Sequence, residues 1–106
     1  MGDQLSFASL DFASKKGAEV KLTMTKGQKV QFDWSVAGGV VNFDLHGDGG
    51  GSERSYEKGR GVPGAKGTLD AQFDSNHGWF WRNRGKADVT VTLRTNGAYS
   101  AIRRVI

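Results

Sequence analysis

Outside residues 47–66 and the turns, apolar side chains from Val20 to Val105 recur at every second position, and no stretch repeats them at the 3.6-residue spacing of a helix face. Neighbouring side chains of a strand point to opposite faces, so this pattern buries one face of each segment and wets the other. Val20, Leu22 and Met24 alternate within Glu19–Thr25, and Val30, Phe32, Trp34 and Val36 do so after Lys26-Gly27. Val41, Phe43 and Leu45 follow the Ala37-Gly38-Gly39 turn, and Asn42, Asp44 and His46 take the opposite face. Further alternation runs through Leu69, Ala71 and Phe73, through Trp79 and Trp81, and through Val89, Val91 and Leu93, before Tyr99 to Val105 closes the domain. Lys26-Gly27 reads as a hairpin turn, Asn96-Gly97 is the strongest short hairpin signal, and Asp74-Ser75-Asn76 and Asn83–Lys86 supply further turns. The pattern predicts an all-β domain: an antiparallel β-sandwich, jelly-roll-like, with seven to eight strands and no substantial helix.

A chain of 106 residues with 37% hydrophobic and 10% aromatic content is sized for one domain, residues 1–106, that buries a core without covalent staples. Residues 1–18 form an N-terminal segment able to supply an edge strand. The lack of cysteine removes disulfides, thiolate zinc sites and cysteine nucleophiles together. Fifteen Lys and Arg against eleven Asp and Glu give a formal charge of +4 with the signs interspersed, which describes a solvated surface rather than a nucleic-acid footprint. The basic pair Arg103-Arg104 fits a terminal strand whose edge is guarded by charge.

Residues 47–66 break the pattern. Eight of the sixteen glycines fall between Gly47 and Gly67, together with the one proline, Pro63. The composition predicts a long Gly-rich loop, interrupted at most by a short strand at Ser55–Lys58 anchored by Tyr56. Long loops in compact domains are commonly functional, so the expected partner-binding residues are Asp48, Arg54, Tyr56 and Arg60, joined by Arg82. Arginine and tyrosine suit that role because each combines contact area with hydrogen bonding.

In the aromatic strand, His77, Trp79 and Trp81 share one face and Phe80 takes the other. Either the tryptophan pair or Phe80 faces the core, and the pair is the expected inward set. The alternative arrangement exposes His77, Trp79 and Trp81 as a platform on which sugar rings could stack. Trp34, between Phe32 and Val36, is a core residue whose indole N–H needs a buried partner. His46 and His77 are the only histidines. Each is expected to hydrogen-bond a turn carbonyl or carboxylate, the alternative being a metal site of His46, His77 and Asp44. No nucleophile elbow occurs around the serines, and no Gly-Lys-Ser/Thr follows the glycine run, so neither catalysis nor a cofactor is expected.

The order of these features, with the Phe32–Val36 strand, Gly38-Gly39, the Val41–Leu45 strand, a polar loop, Gly67-Thr68-Leu69 leading to Phe73 and an aromatic strand ending at Asn83, resembles the GOLD (Golgi dynamics) domain over roughly Val20 to Leu93. Phe43-Asp44-Leu45-His46-Gly47-Asp48 and His77 to Gly85 look more specifically like small bacterial GOLD-like transmembrane anchor proteins. The resemblance implies a β-sandwich displayed on the periplasmic face, held to the membrane by an N-terminal anchor absent from this chain, with no established enzymatic activity. It also implies roles in protein association. Phe80 stands where eukaryotic cargo receptors of this type commonly carry a cysteine, so their disulfide has no counterpart here. The sequence-level expectation is therefore a non-catalytic protein-interaction or scaffolding domain with a protein partner, self-association being open to it. A carbohydrate-binding module and a metal-binding module are the alternatives.

Overall fold

The computed structural model describes residues 4–105, and they form nine strands, not the expected seven to eight, and no helix, the segment expected as a loop being largely strand. In chain order these are β1 (Gln4–Phe12), β2 (Gly17–Met24), β3 (Lys29–Ala37), β4 (Val41–Gly49), β5 (Ser52–Val62), β6 (Gly64–Asp70), β7 (Ser75–Arg82), β8 (Val89–Gly97) and β9 (Ala101–Arg104). Two antiparallel sheets stack face to face. One has the order β1-β8-β3-β6 and the other β5-β4-β7-β2-β9. Apart from the β4–β5 pair, each strand is followed by one in the opposite sheet, which is the wrapping of a jelly roll with β9 added beside β2.

The alternation fixes which residues fill the gap between sheets. Leu10, Phe12, Val30, Phe32, Trp34, Leu69, Val91 and Leu93 project from the first sheet. Ala18, Val20, Leu22, Met24, Val41, Phe43, Leu45, Trp79 and Trp81 meet them from the second. The aromatic members form a continuous series. Phe32 meets Trp79 edge-on at 5.3 Å, Trp79 lies parallel to Trp81 at 6.1 Å, and Trp34 stands edge-on to both Trp81 and Phe43, at 5.7 and 5.2 Å. Each contact falls in the range where aromatic pairs attract beyond their area burial. Contrary to expectation, none of the three buried indole N–H groups has a hydrogen-bond acceptor among the described residues, because the neighbours of each indole in this layer are other rings and aliphatic chains.

Three local expectations are corrected. Lys26-Gly27 does not close a hairpin: β2 pairs with β7 and β9, whereas β3 pairs with β6 and β8, so the turn is a corner between sheets. Asn96-Gly97 likewise ends β8 before the chain crosses to β9. Gly97 is there for space, since a Cβ would stand 2.4 Å from the Lys29 carbonyl oxygen. Residues 47–66 are not a loop. They hold the end of β4, a tight turn at Gly49–Gly51 with all three glycines at positive φ, the eleven-residue β5 and the start of β6.

Candidate functional site

The strand register brings the chemistry-bearing residues of β2, β4 and β7 into rows on the outer face of the five-stranded sheet. Glu19, Phe80 and Asp44 form one row, Lys21, Gly78 and His46 the next, and Thr23, Asn76 and Asp48 the third. The missing side chain at Gly78 matters most. Lys21 and His46 reach across it, and the Lys21 ammonium donates to His46 Nε2 at 2.7 Å and to Asp48 Oδ2 at 2.9 Å. The Lys21 side chain is only 4% exposed although it lies on the solvent side of the sheet. His46 Nδ1 lies 3.0 Å from the Asp44 carbonyl, which can only accept, so that nitrogen carries the proton and Nε2 is left to accept from lysine. Glu19 Oε2 approaches the same Nε2 to 3.3 Å. The Lys21 ammonium thus joins the His46 imidazole to the Asp48 carboxylate across the strand ladder.

His77 sits in the next row on the opposite, core side. It is fully buried, because its ladder partner Gly47 has no Cβ and one there would lie 2.3 Å from the imidazole Nδ1. Its Nε2–H donates to the Phe73 carbonyl at 2.8 Å, and its Nδ1 accepts from the Tyr56 hydroxyl at 3.0 Å. That hydroxyl in turn accepts from the Gln72 amide N–H at 3.2 Å. Every polar group in this relay is satisfied, and it ties β5 to β7 through side chains. Burial, the leading cause, pushes the His77 pKa below its ordinary 6.5; donation to Phe73 opposes the shift and the Lys21 charge adds to it.

This has a measurable consequence. The unfolded chain takes up the His77 proton more readily than the folded one, so stability is full above pH 6.5 and declines as the pH falls below it towards the depressed folded value. The slope from this group is at most about 1.4 kcal/mol per pH unit. Urea titrations between pH 8 and pH 5 should show the loss in the wild type and a shallower dependence in His77→Gln.

The sites expected from sequence are placed as follows. His46 and His77 face opposite sides of the sheet, both rings are already engaged, and no cluster of three or more potential ligands able to hold a metal occurs among the described residues. The alternative metal site with Asp44 therefore does not form. Trp79, Trp81 and His77 are each 0% exposed, which removes the sugar-stacking platform: the tryptophan pair faces the core and Phe80 lies outside beneath the Arg82 guanidinium, 5.4 Å from its ring centre. Of the five expected partner contacts, Arg54 and Tyr56 line a shallow hollow of about 270 Å³ with Gln72, while Tyr56 is chiefly a structural donor to His77. Asp48 is engaged by Lys21, Arg60 is exposed on β5, and Arg82 lies towards the far end of β7. The structure does not unite them.

A surface that sequence reading passed over lies on the other sheet. Leu5 and Phe7 project from the outer face of β1 and are 81% and 62% exposed. They rim a groove of about 660 Å³ whose floor carries Gln31, Asp33 and Arg94 and whose far side carries Lys66. The Arg94 guanidinium lies 5.3 Å from the centre of the Phe7 ring and holds it against the sheet by cation–π attraction. No family model and no curated protein matches this chain. Among solved structures it is similar to a de novo designed double-stranded β-helix solved by solution NMR, at 17% identity and a TM-score of 0.49, over 85% of this chain and 97% of the design.

Proposed function

We propose that the chain is a non-catalytic protein-interaction domain that recognises its partner along β1. The observation that carries this reading is a contrast between sheet edges. A free edge presents unpaired backbone N–H and C=O groups, and proteins blunt such edges with charge, glycine or proline, irregular register or shortness. β5 carries Glu53, Arg54, Glu57, Lys58 and Arg60, two glycines and two register shifts. β6 carries Lys66, Asp70 and two glycines, and β9 has four residues of which two are arginine. β1 has nine residues with no glycine and no proline, its one charge is Asp11 near the end, and two large apolar side chains stand exposed on it. Strand addition to an edge of this kind combines backbone hydrogen bonds with pockets for alternate side chains. Display outside the cytoplasm by a membrane anchor belongs to the same proposal and is supported only by the likeness to GOLD domains.

The test is selection from a random linear peptide library against the domain. Selected peptides are expected to lose at least about tenfold in affinity for Phe7→Asp and to bind Arg60→Ala as they bind the wild type. Peptides that respond to Arg54 or Arg60 and ignore Phe7 would move the interaction surface to β5 and end this reading.

A further inference from the structure

We infer that the occupant of the β1 edge is β1 of a second copy of this chain, joining two four-stranded sheets into one of eight strands about a two-fold axis. The inference rests on the interaction reading above and names the partner. Its basis is self-complementarity. In a symmetric antiparallel pair, residue i of one copy faces residue j of the other with i + j constant, and the sum must be even for outward residues to meet outward residues. The outward set of β1 is Leu5, Phe7, Ser9 and Asp11.

Only a few registers therefore compete. An axis at Ala8 sets Leu5 against Asp11 of the other copy and covers a carboxylate with an aliphatic chain. An axis at Phe7 pairs the two phenylalanines and leaves each Leu5 opposite Ser9. An axis at Ser6 sets Leu5 opposite Phe7 twice, so that all four exposed apolar side chains meet and Asp11 lies outside the apolar pairs. Cross-strand apolar and aromatic pairs stabilise an antiparallel ladder, whereas the alternatives oppose apolar to polar groups. Arg94, held over Phe7, stays on the solvent side of this joint and is not forced into it.

The joint is small. Five residue pairs and four side chains place it below the roughly 1,200 Å² of a standard interface, so a dissociation constant on the order of 0.1 mM is expected. Sedimentation equilibrium from about 10 µM to about 1 mM should show a monomer–dimer equilibrium for the wild type. Phe7→Lys, at an exposed position that leaves the core intact, should weaken it at least tenfold, with unchanged circular dichroism. A wild type that remains monomeric at about 1 mM, or a dimer indifferent to Phe7→Lys, overturns the inference.

The register has its own test because the chain contains no cysteine. At an axis through Ser6 the two Ser6 Cα atoms lie about 5 Å apart, within disulfide reach, whereas the two Ser9 residues are separated by about 20 Å along the strands. Under mild oxidation Ser6→Cys should form a covalent dimer much faster than Ser9→Cys. Equal or faster crosslinking of Ser9→Cys overturns the assignment. Absence of self-association leaves the wider interaction reading to be judged by the peptide selection, whose readout does not depend on a second copy.

Discussion

Replacing Gly78 by alanine is expected to remove about 3 kcal/mol or more of folding free energy, enough to unfold a domain of ordinary stability under mild conditions. A Cβ at this position would lie 1.9 Å from the Val20 carbonyl oxygen and 3.0 Å from the Lys21 Cα. Both atoms are backbone of β2, so no side-chain rotation relieves the overlap, and the β2–β7 ladder has to separate at its centre. Urea denaturation of Gly78→Ala beside Gly85→Ala checks the explanation, because a Cβ at Gly85 meets nothing closer than 3.4 Å. If the two variants have the same midpoint, close packing of β7 on β2 is not what requires glycine.

The second large effect is expected in the aromatic layer. Trp81→Ala removes a fully buried indole that touches both Trp79 and Trp34, and should cost about 3–5 kcal/mol. Trp81→Phe should cost less than half of that. It retains a ring for the edge-on contact with Trp34 and discards an N–H that has no acceptor, a group whose burial is itself unfavourable by about 1–3 kcal/mol. A double-mutant cycle between Trp34 and Trp81 should return a coupling of about 0.5–1.5 kcal/mol from equilibrium unfolding. A Trp81→Phe variant as unstable as Trp81→Ala would mean that the indole makes a polar contact worth more than its volume.

Particular residues show why the fold was legible in the sequence and the candidate surface was not. Val41, Phe43 and Leu45 lie on a strand covered on one face, and there period-two alternation reports burial directly. β5 gives no such signal because it is an edge strand wet on both faces, with Tyr56 and Val62 its only part-buried hydrophobic residues. Its glycines therefore read as loop. The hairpins expected at Lys26-Gly27 and Asn96-Gly97 failed because turn chemistry is local, whereas the choice between two sheets is decided by which distant strand completes the core. Nothing in the alternation of β2 marks Lys21 as buried, and the glycine beside it, Gly78, is fifty-seven residues later in the chain but adjacent in the ladder. Leu5 and Phe7 alternate as core residues do, and their exposure became visible only when β1 proved to be the outer strand of its sheet.

The pairing of β1 with β8 carries a consequence for the order of assembly. Gln4 meets Gly97 and Phe12 meets Val89, so β1 has no ladder partner until β8, most of the domain later in sequence, has been made. Topologies closed by such distant contacts gain little from early partial structure and fold on the slower, millisecond-to-second side of the range for small domains. Throughout that interval both edges of β1 lie open, and the arrival of β8 closes only one of them.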